Sequence, residues 1–271
     1  MLAAHIPRKR FGQHFLTDAS VIEAIVAAIA PRRDDNVIEI GPGLGALTRP
    51  LAARLDHMHA IELDRDIVAQ LQQDSLAHKL TIHAADALRF DFAALAPAGA
   101  RLRIVGNLPY NISTPLLFHL AGYANIIEDL HLMLQKEVVE RMVAAPSTSD
   151  YGRLSVMLQH RFAMEKLFDV PAAAFRPPPK VESAVIRVRP LPDDRLRATD
   201  ETVFGQVVAA AFSQRRKMLR NTLRTYLAGQ DFAMLGIDPG ARAENLTLDD
   251  FIRLANSVAK LRCSVKQAAG N

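Results

Sequence analysis

The chain has 271 residues, 49% hydrophobic and 23% charged, enough to bury a sizeable core and too apolar for a disordered segment. Cys263 is the only cysteine, so no internal disulfide can form and a reducing cytosol is expected. The first long apolar run, 21–30, contains Glu23 and stops at Pro31, too short for a membrane span, and no signal-peptide core precedes it; a soluble cytoplasmic monomer is expected. The net charge is +4 and its surplus is confined to the last quarter: residues 201–271 carry 10 Lys and Arg against 6 Asp and Glu, the first 200 carry 23 of each. That distribution hints at a polyanionic partner.

In chain order, PRKRFGQHFL (7–16) reads as a basic, irregular arm, followed by Asp18 as N-cap of a helix to Ala30. VIEI (37–40) is a short strand entering the turn GPGLG, with a helix after it. MHAIE (58–62) is the next strand, and Asp64 can cap a helix to Ser75. LTIH (80–83), LRIV (102–105) and LHLML (130–134) continue the series. Strands alternating with helices indicate an α/β fold, a parallel sheet covered on both faces. RFAMEKLFDV (161–170) and SAVIRVRP (183–190), joined by FRPPPK without a helix between them, predict an antiparallel hairpin at the sheet edge. LPDDRLRATD (191–200) reads as a linker, and from Glu201 onward short amphipathic helices are expected, broken at Gly229, Pro239 and Gly240. Two domains follow: 1–195, built on the sheet, and 196–271, all-helical.

Ligands of an open parallel sheet sit beyond the carboxyl ends of its strands. Those ends carry Gly41, Glu62, Asp86 and Asn107, at intervals of 21, 24 and 21 residues, each about one strand–helix unit. Gly41, Gly43 and Gly45 let backbone approach a ligand. Glu62 can accept two ribose hydroxyls, and Asp86 can accept from an adenine amine. The G-x-G-x-G spacing differs from the G-x-G-x-x-G of dinucleotide sites. Glu39, two residues before the first glycine, disfavours a pyrophosphate and favours a cationic cofactor such as S-adenosylmethionine. In NLPY (107–110) the Asn107 side-chain oxygen and the Leu108 carbonyl can converge on the two hydrogens of an exocyclic amine and aim its lone pair at a methyl donor, while Tyr110 stacks on the base. A proline turn with a capping Asn and a core Tyr is the plainer reading of NLPY alone.

The sequence resembles the ribosomal RNA adenine N6-dimethyltransferases over nearly its whole length. The likeness rests on KRFGQHFL, EIGPGLGALT, AIELD, NLPYNISTPL, LMLQKEV, VPAAAFRPPPKVESAV and AFSQRRKMLRNTL. It implies a Rossmann-like S-adenosylmethionine-dependent methyltransferase sheet, mostly parallel with an antiparallel edge hairpin, plus a small all-helical C-terminal domain that binds RNA. Cofactor contacts are implied for His14, Leu16, Gly41, Glu62, Asp86 and Asn107. The target adenine would lie against Asn107, Leu108 and Tyr110, with Phe175 as a second stacking ring. The implied substrate is a pair of adjacent adenosines in the 3′-terminal hairpin of 16S rRNA, in the small ribosomal subunit or its precursor, with a contribution to subunit biogenesis. His14 stands where the family pattern commonly has Asn.

Direct transfer from a sulfonium to a neutral amine needs no metal. Accordingly, His57 and His59 read as structural or surface residues and Cys263 as inert. In SQRRKMLRNTLRTYL (213–227), read as one helix, Arg216, Arg220 and Arg224 fall at i, i+4, i+8 beside Lys217, while Leu219, Leu223, Tyr226 and Leu227 form another face. Three rivals remain: a large-subunit rRNA adenine dimethyltransferase of the antibiotic-resistance type, an RNA-binding assembly factor whose catalysis is secondary, and a nicotinamide dehydrogenase. The glycine spacing and NLPY disfavour the last.

Overall fold

A computed structural model describes residues 13–96, 99–192 and 195–269, with side chains up to residue 263; the basic stretch before Gln13 lies outside the described residues. The chain forms two compact units, Met1–Val139 with Phe162–Pro190, and Glu140–Arg161 with Leu191–Asn271. The expected division at 195/196 thus differs in two ways. The break falls at Pro190, where the last strand of the sheet in chain order ends, and 140–161 group with the helical unit.

The first unit is a seven-stranded sheet. Its strands are β2 (Asn36–Ile40), β3 (Met58–Glu62), β4 (Leu80–Ala84), β5 (Leu102–Asn107), β6 (Ile127–Gln135), β7 (Phe162–Val170) and β9 (Ser183–Pro190), in the order β4-β3-β2-β5-β6-β9-β7. The five strands from β4 to β6 are parallel, while β9 runs antiparallel to both β6 and β7. The expected edge hairpin is present, with β9 as its inner strand. Val37, Ile38, Glu39 and Ile40 of β2 are all buried. That run fits a central parallel strand covered on both faces, with one carboxylate set in it.

Helix α1 (Ala19–Ile29) starts where Asp18 accepts from the Ser20 and Val21 amides and packs Ile25, Val26 and Ile29 inward. Helices α2 (Thr48–Ala52), α3 (Arg65–Leu71, capped by Asp64) and α4 (Ser113–Ala121) complete the crossovers. α3 ends four residues before the expected Ser75. The arm is not wholly irregular: Phe15–Leu16 form β1, antiparallel to β8 (Phe175–Arg176) with Leu16 opposite Phe175. The Thr17 amide donates to the Ala174 carbonyl at 2.9 Å, so the arm meets its backbone hydrogen-bonding needs on the segment before β8.

The second unit holds α6 (Arg153–Gln159), reached through α5 (Lys136–Val143), then α7 (Glu201–Ala211), α8 (Leu219–Thr222), α9 (Gly229–Met234) and α10 (Leu248–Ala269). Its core includes Phe204, Val208, Leu219, Phe232 and Phe251. At 22 residues α10 is longer than the short pieces expected. The expected continuous helix over 213–227 is not formed. The Leu219 and Arg220 amides donate to the Ala241 and Pro239 carbonyls, and Met218 bridges Arg242, so the α-helix is confined to α8 and the flanking residues form isolated turns. Leu219, Leu223 and Leu227 are still buried. Arg216, Lys217, Arg220 and Arg224 are exposed, without a common helical face.

Candidate active site

The strand order reverses at β2, because the chain steps outward through β3 and β4 before returning to β5 on the other side. Ligands bind at such a switch point. Here a cavity of about 660 Å³, within the usual range for ligand sites, opens between the carboxyl ends of β2 and β5. The arm residues 13–17 form part of its wall.

The expected strand-end residues come together. Gly41, Glu62, Asp86, Asn107, Leu108 and Tyr110 all line the cavity, as do His14 and Leu16 from the arm. Gly41, Gly43 and Gly45 all adopt positive φ, at 67°, 52° and 82°, where L side chains are strained. A glycine outside the expected set matters as much. A Cβ on Gly106 would lie 2.5 Å from the Ile40 carbonyl oxygen. Only glycine lets the end of β5 run this close to β2 and bring Asn107 beside Gly41. Its signal was the G immediately before NLPY.

Three carboxylates set the electrostatics. Glu39 is 2% exposed, and among the described residues its Oε2 has no hydrogen-bond partner. Burial pushes its carboxyl up to about 7, opposed by the neighbouring Thr48 hydroxyl and reinforced by nearby Glu62. Burial also raises the Glu62 pKa, opposed by backbone amides of Asp64, Gly43 and Leu63; the Asp64 amide donates to Glu62 Oε1 at 2.8 Å. Asp86 accepts from the Leu88 amide at 3.0 Å. Among the described residues that line it, the only Arg or Lys is Arg49, paired with Asp74 at 2.8 Å. The described lining is therefore net acidic at pH 7 and above. A buried carboxylate oxygen with no partner, facing a cavity, fits a ligand carrying positive charge.

At the β5 side, Asn107 Nδ2 donates to the His14 carbonyl at 3.1 Å, leaving its side-chain oxygen as the acceptor. Leu108 donates its amide to the Met133 carbonyl at 3.1 Å. The Tyr110 hydroxyl lies 2.7 Å from Ser183 Oγ, and its ring stacks against His14 with centroids 5.9 Å apart. Phe175 is not where a stacking ring must be. It is fully buried, pairs with Leu16 and packs in the core with Ala174 and Val185, away from the cavity lining. A strand position between two packed surfaces leaves it no free face.

Other sequence candidates lie elsewhere. His57 Nε2 sits 2.9 Å from Thr81 Oγ1, and His59 Nδ1 sits 3.1 Å from His83 Nε2. Burial and the neighbouring imidazoles push His59 down to about 4. Cys263 is exposed on α10. Among the described residues no group of three or more His, Cys, Asp and Glu side chains is placed to hold a metal ion, and no helix is long and apolar enough to cross a membrane.

The family pattern described as ribosomal RNA adenine dimethylase matches residues 4–260. The chain belongs to this family. A ribosomal RNA small subunit methyltransferase A from Chromobacterium violaceum is 62% identical over 255 residues, 94% of this chain and 97% of that protein. Its counterpart from Nitrosospira multiformis is 58% identical over 258 residues, 95% of this chain and 98% of that protein. Among solved structures, a dimethyladenosine transferase from Plasmodium falciparum superposes with a TM-score of 0.77 at 25% identity, covering 89% of this chain and 96% of that one. The 23S rRNA methyltransferase ErmE superposes at 0.69 with 26% identity, covering 90% of this chain and 99% of that one. The mixed sheet with an antiparallel edge is thus the fold of rRNA adenine dimethylases, and the acidic cavity lies where the dimethylase sheet reverses its strand order.

Proposed function

We propose that this dimethylase transfers methyl groups from S-adenosylmethionine to the N6 amines of two adjacent adenosines in the 3′-terminal hairpin of 16S rRNA. The substrate is the small ribosomal subunit or its precursor, and the enzyme acts as a cytoplasmic monomer. The observation that carries the reading is the Asn107 side chain, tied by its nitrogen to the arm and left with an acceptor oxygen at the mouth of an acidic cavity.

S-adenosylmethionine, when bound, supplies an electrophilic methyl group on a cationic sulfur. Glu39, Glu62 and Asp86 would hold it: Glu39 by charge, Glu62 as acceptor for ribose hydroxyls and Asp86 as acceptor for an adenine amine. Gly41 lets backbone approach it, and His14 and Leu16 cover it from the arm. On the target side, the Asn107 oxygen and the Leu108 carbonyl accept the two amine hydrogens. That pyramidalises the nitrogen and localises on it, pointing out of the base plane, a lone pair that conjugation otherwise delocalises into the ring. Tyr110 stacks on the base. These residues orient rather than react, so catalysis is positioning and charge placement. The exposed Arg216, Lys217, Arg220 and Arg224 of the helical unit contact RNA phosphate.

Methyl transfer to isolated small subunits and to 23S-containing substrates, followed by mass mapping of the methylated nucleotides, tests the assignment. Two dimethylated adenosines near the 16S 3′ end are expected; modification of 23S rRNA alone would establish the large-subunit reading instead. Asn107→Ala should leave RNA affinity nearly unchanged and lower the single-turnover rate by two orders of magnitude or more, since the missing acceptor aligns the reacting nitrogen. A near-normal rate would reduce Asn107 to a strand cap.

A further inference from the structure

Tyr110 is held from three directions by residues outside its own tripeptide. Ser113 Oγ donates to its backbone carbonyl at 3.0 Å. The His14 ring lies against one face, 5.9 Å between centroids and 26° from parallel, with His14 Nδ1 itself 2.8 Å from the Pro177 carbonyl. The phenol oxygen reaches Ser183 Oγ at 2.7 Å. Ser183 is fully buried and is the first residue of β9, set opposite Gln135 of β6 and Val170 of β7. Its hydroxyl is therefore fixed by two strand ladders, whereas Tyr110 sits in a turn. A hydrogen bond from a rigid strand to the tip of a ring on a turn removes the ring's freedom to swing about χ1.

We propose that Ser183 is a positioning residue for methyl transfer: its hydroxyl locks the Tyr110 ring, with His14 behind it, so that the remaining face is presented to the target adenine beside Asn107. The inference rests on the proposed activity for its consequence but not for its geometry. Without Ser183 the ring still packs, yet it samples orientations in which the base is not held in line. The loss then appears in the rate of the bound complex, not in assembly of that complex.

The test is a double-mutant cycle of Ser183→Ala, Tyr110→Phe and the double variant. It reads single-turnover methyl transfer to small subunits, calorimetric cofactor affinity and melting temperature. Each single variant should lose about tenfold to a hundredfold in rate with cofactor affinity unchanged, and the double should lose no more than either. A second readout needs no activity. The chain has four tyrosines, so fluorotyrosine labelling gives four fluorine resonances. The resonance that Tyr110→Phe abolishes should shift or broaden in Ser183→Ala. Losses that multiply in the double variant, or an unmoved Tyr110 resonance, overturn the proposal. If Ser183→Ala unfolds, a full rate in Tyr110→Phe overturns it equally, since the same bond is then absent without effect. A wild-type enzyme that methylates no 16S rRNA would sink the proposed substrate, while the fluorine spectrum would still decide the restraint.

Discussion

Replacing Glu39 by Gln separates two effects that the native residue combines. The carboxyl is buried with one oxygen unpartnered and holds its proton up to about pH 7, against an ordinary value of 4.5. The folded protein therefore binds more protons than the unfolded chain between those limits, and stability falls as pH rises through that window. A shift of that size corresponds to about 3 kcal/mol, fully lost above pH 7. Glu39→Gln removes the titration, so without cofactor the variant should be more stable than wild type at pH 8 by up to about 3 kcal/mol and no more stable at pH 4. Cofactor binding should respond oppositely. If S-adenosylmethionine binds the ionised form, the competent fraction rises from about a tenth at pH 6 to about nine-tenths at pH 8, and affinity rises about tenfold. S-adenosylhomocysteine, which lacks the sulfonium charge, should show a weaker dependence. Calorimetric titration of both ligands at pH 6, 7 and 8, alongside urea unfolding, measures every quantity. A ratio of the two affinities that does not change with pH, or that Glu39→Gln leaves as in wild type, would refute the charge-recognition argument.

Three further outcomes follow from the same geometry. Glu62→Ala should weaken cofactor binding by roughly 1–3 kcal/mol, the scale of hydrogen bonds to a charged group; unchanged affinity in a folded variant would remove Glu62 from the ribose site. Gly106→Ala forces a Cβ against the Ile40 carbonyl and should cost about 1–3 kcal/mol in urea unfolding. It should also depress turnover more than cofactor affinity, because Asn107 moves with it; wild-type rate in this variant would mean that β5 and β2 can part without consequence. Replacing Arg216, Arg220 and Arg224 by Gln should lower the slope of log RNA affinity against log salt by about 0.7 for each phosphate no longer neutralised. Equal slopes in the two proteins would show those side chains to be merely solvated.

The convergence of the strand ends on one cavity was legible because parallel strands repeat. Each strand–helix unit takes a similar number of residues, so Gly41, Glu62, Asp86 and Asn107 could be aligned by counting, and all four line one cavity. What escaped was whatever depends on a partner distant in the chain. Ser183 is 73 residues from the Tyr110 it bonds, and nothing in KVESAV marks its hydroxyl as different from any other. The basic stretch 213–227 has good helical periodicity, yet the turn at 239–242 captures its backbone amides and limits the helix to Leu219–Thr222. Tertiary hydrogen bonds there override local propensity. Phe175 illustrates the opposite error. The resemblance implied a stacking role for it, but opposite Leu16 it packs into the core instead.

The two kinds of strand pairing in the sheet divide the work. Five parallel strands end in turns whose lengths can vary, and their carboxyl ends supply Glu39, Gly41, Glu62, Asp86 and Asn107 around one cavity. A parallel sheet by itself offers no fixed residue on the far side of Tyr110, because β6 ends at Gln135 and the chain departs into α5. Returning β9 antiparallel along β6 solves this. Its first residue, Ser183, arrives opposite Gln135, level with the carboxyl ends of the parallel strands, and β7 secures it from the other side. The segment between β7 and β9 also supplies β8, which pairs with the arm and places the His14 carbonyl on Asn107. One hairpin thus fixes Tyr110 through Ser183 and Asn107 through the arm, so the placement of both residues depends on the register of β9. A slip of one residue there would turn Ser183 to the opposite face of the sheet and release the ring while leaving Glu39, Glu62 and Asp86 in place.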